Sequence, residues 1–281
     1  MQIVNTIADI RSALAHRSPV ACVPTMGNLH DGHLELVRIA RREAATVVAT
    51  IFVNRLQFGP NEDFDRYPRT FETDCAKLDA AGADLVFAPA EKELYPEAQV
   101  FGVAPPGVLA DVLEGEFRPG FFRGVCTVVA KLFNIISPQI GVFGKKDYQQ
   151  LLIIRAMVRQ LAWPLRIVAA ETLRAPDGLA LSSRNGYLSP AERREAPRLH
   201  SVLLAAVAEL RAGALDIREV ERGGFETLRE NGWAPDYVAV RKQTALELPQ
   251  RASGDLVVLA AARVGTTRLI DNVEVSIPCT A

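Results

Sequence analysis

The chain has 281 residues, of which 49% are hydrophobic and 23% are charged, as in ordinary soluble globular proteins. Its 32 basic and 33 acidic residues leave a net charge of −1, so no overall positive field favours nucleic acid. No run approaches the roughly 18 consecutive apolar residues of a membrane-spanning helix. The N-terminus lacks the continuous apolar stretch of a signal peptide. We therefore expect a soluble, cytoplasmic protein that binds neither nucleic acid nor membranes.

The cysteines give a second indication of the compartment. The chain has four of them, Cys22, Cys75, Cys126 and Cys279, which are far apart in sequence and include no Cys-x-x-Cys pair. This spacing does not suggest a disulfide framework. We predict that the thiols are reduced.

Short apolar, β-branched runs alternate with helical patterns through the first 170 residues or so. The runs predict buried strands at residues 20–24, 46–52, 85–88, 140–143 and 165–169. The patterns between them predict helices at residues 32–44, 71–81, 125–136 and 147–161. This order predicts an α/β fold with a Rossmann-like, doubly wound parallel sheet, in which ligands bind beyond the carboxyl ends of the strands.

A different pattern follows, and it predicts a second, smaller α+β domain. Helices are predicted at residues 190–212 and 217–231, and strands at residues 237–241, 256–262 and 267–271, with a turn around Gly265. We place the first domain at residues 1–175, with the nucleotide and substrate sites. The domain at residues 176–281 is expected to close over the nucleotide.

The segment PTMGNLHDGH at residues 24–33 joins the first strand to the first helix. Gly27 and Gly32 allow the backbone to approach a ligand closely. The helix start offers free N–H groups and a positive dipole end, which suit phosphate. His30 and His33 are three residues apart, so both can face one pocket and stabilise charge on a phosphate. A metal pair or two helix-capping histidines are the alternatives.

Two further segments carry groups suited to phosphate. GKKDYQQ at residues 144–150 follows a strand and opens a helix, where Lys146 can bind phosphates and Asp147 a ribose hydroxyl or a metal ion. A solvated helix cap is the alternative there. Ser182, Ser183 and Arg184 lie near the domain boundary and offer two hydroxyls and a guanidinium. An ordinary polar loop is the alternative for this segment.

Side-chain amides follow the second strand in IFVNRLQF at residues 51–58. Asn54 and Gln57 lie in the expected ligand zone. Amides suit a hydroxy acid because they donate to its oxygens and accept from its hydroxyls.

Together these segments closely resemble the pantothenate synthetases (pantoate–β-alanine ligases) over nearly the whole chain. The matching motifs are PTMGNLHDGH, IFVN-x-x-QF, RYPRT, FRGV-x-TVV-x-KLF, KDYQQL, DGLALSSRNGYLS and RLIDN. The His-x-Gly-His element is shared with nucleotidylyl transferases and class I aminoacyl-tRNA synthetases. The resemblance implies condensation of pantoate with β-alanine through a pantoyl adenylate, with release of AMP and pyrophosphate, on the route to coenzyme A.

The resemblance also implies roles for particular residues. The phosphate-binding and catalytic residues would be His30, His33, Lys146, Ser182, Ser183 and Arg184. The other ATP contacts would come from Met26, Gly27, Gly144 and Asp147. Pantoate would be bound by Pro24, Met26, Asn54, Gln57 and Gln150. Mg²⁺ would be held mainly through the ATP phosphates, and the enzyme would be a homodimer.

Three positions depart from the family pattern. Arg55 stands where the family usually has proline, and Lys145 replaces the glutamate of FGEKD. Residues 118–124 read RPGFFRG where the family has RPGHFRG, and we assign the lost histidine to Phe122. The loss of an acid and gain of two cations predict a more positive local potential. We expect the activity to survive, because the assigned phosphate and pantoate residues remain.

Two other functions stay open at this point. One is an adenylyltransferase that leaves AMP on its product. The other is a binding or regulatory protein that kept the ATP pocket and lost turnover.

Overall fold

The computed structural model describes residues 1–60, 62, 64–213 and 216–278. By compactness the chain divides into two units. Unit 1 comprises Met1–Lys145 and Gln150–Glu171, and unit 2 comprises Lys146–Gln149 together with the chain from Thr172 onward. The chain passes into unit 2 for the last time after Glu171, four residues before the domain boundary that we placed after residue 175.

Unit 1 is built on a parallel sheet. Its strands are β1 (Gln2–Val4), β2 (Val20–Thr25), β3 (Thr46–Ile51), β4 (Leu85–Phe87), β5 (Ile140–Gly144) and β6 (Arg166–Ala170). Its helices are α1 (Ile7–Leu14), α2 (Asp31–Glu43), α3 (Phe71–Ala81), α4 (Glu91–Leu94), α5 (Gly107–Ala110), α6 (Glu114–Phe117), α7 (Phe121–Ile136) and α8, whose full span is Tyr148–Gln160. A short 3₁₀ helix covers Arg55–Gln57.

Both faces of this sheet are buried, which explains the apolar strands. Val23 of β2 packs with α2 and α3 in one hydrophobic cluster. Cys22, the preceding residue, points to the other face and pairs with Gly141 of β5. A Cβ at Gly141 would lie 3.1 Å from the Phe133 ring of α7. Helices therefore cover both faces, and the predicted doubly wound α/β fold is confirmed.

The strand order locates the switch point of the sheet. Among the described residues the order is β1–β4–β3–β2–β5–β6, and neighbouring strands are parallel. The chain moves outward from β2 through β3 and β4 on one side, and then returns to place β5 on the other side of β2. Ligands of such sheets bind beyond the carboxyl ends of the two strands at this point. Residues 26–33 follow β2 there, and the 144–150 segment begins at the end of β5.

Unit 2 has an antiparallel sheet covered by helices. Its strands are β7 (Ala234–Lys242), β8 (Gly254–Val264) and β9 (Thr267–Ile277), in that order among the described residues. Its helices are α9 (Pro190–Glu195), α10 (Arg198–Arg211) and α11 (Ile217–Glu230), preceded by a 3₁₀ helix at Ser183–Tyr187. Leu199 and Leu203 of α10 pack with Val240 and Leu256 in a hydrophobic core. The predicted smaller α+β fold is confirmed.

One predicted helix of unit 2 is wrong. Residues 190–212 do not form a continuous helix, because α9 ends at Glu195 and α10 begins at Arg198. Pro197 lies between them. Proline has no N–H to donate, and its ring clashes with the carbonyl four residues earlier, so it interrupts the helix. The turn predicted at Gly265 does join β8 to β9.

The described cysteines fit the prediction of reduced thiols. Cys22, Cys75 and Cys126 are free and buried, whereas Cys279 lies outside the described residues. Burial raises the pKa of the Cys126 thiol to about 12, which keeps it in its neutral form. In the part of the chain that the structure describes, no helix is both long and apolar enough to cross a membrane.

Candidate active site

The loop after β2 has an unusual backbone. Gly27 and Asn28 have positive φ angles of 82° and 51°. A Cβ at Gly27 would lie 3.1 Å from Asp74 Oδ2 and 3.2 Å from Ile51 Cγ2. Glycine is therefore favoured at residue 27, because a larger residue would be strained in this conformation and crowded by both neighbours.

A buried carboxylate holds this loop. Asp74, in the first turn of α3, is only 1% exposed. Its Oδ2 accepts from the Asn28 N–H at 2.8 Å and from the Thr70 hydroxyl at 2.9 Å, and its Oδ1 accepts from the Leu29 N–H at 2.8 Å. Hydrogen bonds to an ionised carboxylate are stronger than neutral ones. This role could not be seen in the sequence, because an acid in the first turn of a helix is ordinary.

The two predicted histidines meet at the start of α2. Their ring centroids are 4.1 Å apart. His30 Nδ1 accepts from the Gly32 N–H at 3.1 Å, and His33 Nδ1 accepts from the His30 N–H at 3.4 Å. An Nδ1 that accepts carries no proton, so each neutral ring carries its proton on Nε2. Capping, one of the alternatives from the sequence, therefore occurs, and it fixes the tautomer that can donate through Nε2.

Met26 and the amides after β3 form a connected group. Asn54 is 1% exposed, its Oδ1 accepts from the Tyr95 hydroxyl at 2.8 Å, and its Nδ2 donates to Gln57 Oε1 at 3.1 Å and Gly124 O at 3.2 Å. Gln57 Nε2 lies 3.1 Å from Met26 Sδ. Burial, reinforced by the nearby charge of Glu91, raises the pKa of Tyr95, so its hydroxyl remains a donor. The contacts of Asn54 indicate that it orients Gln57.

Helix α7 approaches this group very closely at Gly124. A Cβ at Gly124 would lie 2.1 Å from Leu56 O and 2.7 Å from the Gln57 backbone nitrogen. Real Cβ atoms essentially never show such distances. The position of Gln57 therefore depends on glycine at residue 124.

An ion pair holds the same region. Arg118 donates to both carboxylate oxygens of Glu62, at 2.7 and 2.6 Å, and its Nη2 donates to Gln57 O at 3.3 Å. The Arg118 guanidinium also lies over the Phe121 ring, 3.6 Å from its centroid. These contacts connect the RPG segment to the backbone of Gln57.

The assignment of the lost histidine to Phe122 is wrong. The histidine is the fourth residue of RPGHFRG, and the fourth residue counted from Arg118 is Phe121. The surroundings agree, because Phe122 is 2% exposed in the core, whereas Phe121 is partly exposed beneath Arg118. At residue 121 this chain therefore has a phenyl ring, stacked on the Arg118 guanidinium, where the family has the imidazole of histidine.

The other two departures do not leave unpaired positive charge. Arg55 Nε lies 3.1 Å from Glu91 Oε1, and Lys145 Nζ lies 2.7 Å from Glu171 Oε1. Each added cation has a carboxylate partner, so much of its field is offset close to its source. The more positive local potential expected from the sequence is therefore reduced by these partners, and it stays a prediction.

Unit 2 carries the remaining predicted phosphate residues. The Lys146 side chain is 18% exposed, and its Nζ lies 3.9 Å from Asp147 Oδ1. Ser182 caps the 3₁₀ helix that contains Ser183 and Arg184, and its hydroxyl accepts from the Arg184 N–H at 3.3 Å. Lys146 and Ser182 line the same small cavity.

The predicted residues thus fall into two groups. Unit 1 carries Pro24, Met26, Gly27, His30, His33, Asn54, Gln57, Gly144 and Gln150, and unit 2 carries Lys146, Asp147, Ser182, Ser183 and Arg184. Within unit 1 the structure brings Met26, Asn54 and Gln57 into contact, and it pairs His30 with His33. Among the described residues no group of three or more His, Cys, Asp or Glu could hold a metal ion.

Comparisons with known proteins agree over nearly the whole length of the chain. Residues 2–274 match the family described as pantoate-beta-alanine ligase. A pantothenate synthetase from Leptothrix cholodnii is 59% identical over 98% of this chain and 100% of its own length.

Solved structures give the same result. The crystal structure of pantothenate synthetase from Thermus thermophilus is 48% identical, with a TM-score of 0.94 over 98% of this chain and all of that one. A pantoate-beta-alanine ligase from Francisella tularensis, complexed with beta-gamma ATP and beta-alanine, is 31% identical, with a TM-score of 0.83 over 97% of each chain.

Proposed function

The chain belongs to the family of pantoate–β-alanine ligases, and we propose that it joins its two substrates through a pantoyl adenylate. In the first step pantoate and ATP give the adenylate and pyrophosphate. In the second step β-alanine displaces AMP and pantothenate is formed. The proposal extends to this chain the ATP and β-alanine seen with the Francisella relative.

The observation that carries this proposal is the histidine pair at the start of α2. Both Nδ1 atoms accept from backbone N–H groups, so both Nε2 atoms are donors. The pair lies at the amino end of a 13-residue helix, whose dipole favours an anion. Donors fixed before the substrate arrives stabilise charge that develops on a phosphate, because they need no reorganisation during the reaction.

In the first step a pantoate carboxylate oxygen attacks the α-phosphorus of ATP. The new O–P bond forms as the bond to the α,β-bridging oxygen breaks, and pyrophosphate leaves with that electron pair. We assign the phosphates to His30 and His33 of unit 1 and to Lys146 and the Ser182–Arg184 segment of unit 2. Gly144, Asp147, Gly27 and the Met26 backbone are assigned to the remaining ATP contacts.

Pantoate is assigned to the group of side chains around Gln57. Gln57 and Gln150 would bind its oxygens, beside Pro24 and Met26. Asn54 would act mainly by orienting Gln57, since its amide already bonds to Tyr95 and Gln57. A buried amide with fixed partners orients its neighbour without the entropy cost of ordering it at each turnover.

In the second step the amine of β-alanine attacks the acyl carbon of the adenylate. The C–N bond forms, the C–O bond to the AMP phosphate breaks, and the nitrogen loses a proton to solvent. Activation is required because a free carboxylate resists an amine nucleophile, whereas the mixed anhydride has a good leaving group. Catalysis here would come from positioning and electrostatics.

Mg²⁺ fits this proposal as an ion carried by the nucleotide. The described residues present no carboxylate and imidazole cluster for a metal, and Mg²⁺ commonly binds through substrate phosphates and water. When bound, it would neutralise phosphate charge. We also propose a cytoplasmic homodimer, which size-exclusion chromatography with light scattering would test for its subunit number.

The experiment is exchange of labelled pyrophosphate into ATP, with pantoate and magnesium but without β-alanine. Exchange that requires pantoate, and conversion of ATP to AMP once β-alanine is added, is the expected result. A stable nucleotidylated product that ignores β-alanine would identify an adenylyltransferase instead. ATP binding without exchange would identify a protein that has lost turnover.

A matched pair of variants tests the histidine assignment. His33→Ala removes one of the paired rings, whereas His16→Ala removes an exposed histidine of the same unit. We expect exchange to fall by roughly 10²-fold or more in His33→Ala, as for the loss of one transition-state donor, and to be unchanged in His16→Ala. Equal rates in the two variants would contradict the assignment.

A further inference from the structure

Strand β9 contacts both chain segments of unit 2 that carry proposed phosphate residues. We infer that Asp271 and Asn272 of β9 are positioning residues, which set the locations of Lys146 and of the Ser182–Arg184 segment. This inference rests on the proposed function of those segments. The RLIDN motif at residues 268–272 contains both residues, and the proposed function gave it no role.

Asn272 holds the segment that contains Lys146. Its side chain donates from Nδ2 to the Lys146 carbonyl oxygen at 2.9 Å, and the residue is 6% exposed. Two residues along the strand, Glu274 Oε1 accepts from the Tyr148 hydroxyl at 2.9 Å. The segment of residues 146–148 is therefore attached to β9 at two points. A lysine side chain is long and flexible, so the reach of its ammonium depends on where its backbone is fixed.

Asp271 holds the segment that leads to Ser182. Both oxygens of its carboxylate accept from Arg174, at 2.6 and 2.9 Å. Arg174 also donates to Gly178 O at 3.0 Å and pairs with Ala180 in an isolated β-bridge. The Arg174–Ala180 turn is thus closed on itself and anchored to β9, and Ser182 follows two residues later.

A histidine lies on the other side of the Asp271 carboxylate. His200 of α10 has its Nδ1 3.5 Å from Asp271 Oδ2, and its ring lies against Gly178, where a Cβ would be 3.0 Å from Cδ2. Burial raises the pKa of Asp271, but the hydrogen bonds from Arg174 and the nearby His200 ring outweigh it, so the pKa lies below its usual value and the carboxyl stays ionised. The carboxylate therefore joins α10, the Arg174–Ala180 turn and β9.

One cavity is lined both by residues of this network and by proposed phosphate residues. Lys146 and Ser182 line it, and so do His200 and Asp271. A small shift of β9 would therefore move both proposed phosphate groups with it. Binding groups must be held within roughly 0.5 Å of their productive geometry, which requires a packed supporting layer. Asp271 and Asn272 supply that layer within unit 2.

The test compares Asn272→Ala with Ser276→Ala. Both shorten a polar side chain on β9, but Ser276 bonds to Asp255 at 2.5 Å and touches neither segment. In Asn272→Ala we expect kcat for pyrophosphate exchange to fall by about tenfold or more, with KM for pantoate unchanged and cooperative unfolding retained. Amide hydrogen exchange in residues 144–150 should become faster. Ser276→Ala should behave like the unmodified protein in each measurement.

A double variant separates positioning from a general loss of structure. If Asn272 acts through Lys146, Asn272→Ala should cost little further activity in a Lys146→Ala background. A general defect would instead multiply the two losses. Arg174→Lys keeps the charge but loses the bidentate geometry, and it should speed hydrogen exchange in residues 179–187.

The outcomes distinguish this inference from the proposed function. The inference would be overturned, and the function left intact, if the unmodified protein exchanged pyrophosphate but Asn272→Ala matched Ser276→Ala in both turnover and hydrogen exchange. Absence of pyrophosphate exchange in the unmodified protein would overturn the function. Hydrogen exchange at residues 144–150 would then still decide whether Asn272 fixes that segment.

Discussion

Adding one methyl group at residue 124 tests whether the close approach of α7 fixes the position of Gln57 and thereby supports catalysis. Gly124→Ala places a Cβ 2.1 Å from Leu56 O and 2.7 Å from the Gln57 nitrogen. Both of these neighbours are backbone atoms, so no side-chain rotation relieves the clash. The backbone around Gln57 must therefore move by about 1 Å, since protein interiors contain no spare space for a methyl group.

The size of the effect follows from that displacement. A misplacement of about 1 Å in a binding group can cost about 10²-fold in rate. We expect a loss of this size in pantoate-dependent pyrophosphate exchange, together with a rise in KM for pantoate. The strain of overpacking should lower the free energy of unfolding by about 2 kcal/mol.

Gly223→Ala is the matched control for this experiment. Gly223 lies inside α11, and a Cβ there would meet nothing within 4 Å. The same substitution should raise stability by roughly 0.5–1 kcal/mol through helix propensity alone, without changing activity. Thermal unfolding and exchange kinetics would be measured for both variants. If Gly124→Ala exchanged pyrophosphate at the wild-type rate, the claim that α7 fixes the position of Gln57 would be refuted.

Three further predictions concern charged groups. Asp74→Asn keeps the shape of the side chain but turns one acceptor into a donor facing a backbone N–H. Pyrophosphate exchange should therefore fall by roughly tenfold or more. Unchanged kinetics would show that the Asp74 charge does not position the loop. The pKa of Asp271 is lower in the folded protein than its ordinary value of 3.8. Its contribution to the free energy of unfolding is therefore fully present above pH 3.8 and is lost as the pH falls through the lower pKa of the folded protein. Melting temperatures at pH 7 and pH 3 should therefore differ less in Asp271→Asn than in the unmodified protein, and equal differences would contradict this. Lys145→Glu places two acids together, because it replaces the partner of Glu171. We expect turnover within a few-fold of wild type. A rise of orders of magnitude would show that Lys145 slows the reaction.

The sequence predicted the elements that carry long, continuous patterns. The sequence predicts helix α3 with the bounds that the structure has and β2 one residue short, because apolar runs and helical periods can be recognised without knowledge of their contacts. Strand β1 has three residues and no pattern of its own. The break at Pro197 was predictable from the chemistry of proline, but the alanine- and leucine-rich pattern on both sides obscured it.

The supporting residues of the site could not be predicted in the same way. Asp74 bonds to backbone groups 45 and 46 residues away, and Asp271 bonds to an arginine 97 residues away. Contacts at such separations leave no local pattern in one sequence. Histidines, lysines and glycine turns could be recognised as candidates because their chemistry is visible residue by residue. The groups that orient them become visible only through the fold.

The path of the chain restricts how unit 2 can be exchanged between proteins. The chain enters unit 2 for residues 146–149, returns to unit 1 at Gln150, and leaves it again after Glu171. A gene fragment that starts at residue 172 would encode β9 without Lys146 and Tyr148, two residues that β9 binds. A single crossover at that boundary would therefore transfer the strand without its bonding partners. A chimera that is to keep them must take both pieces of unit 2 from the same parent.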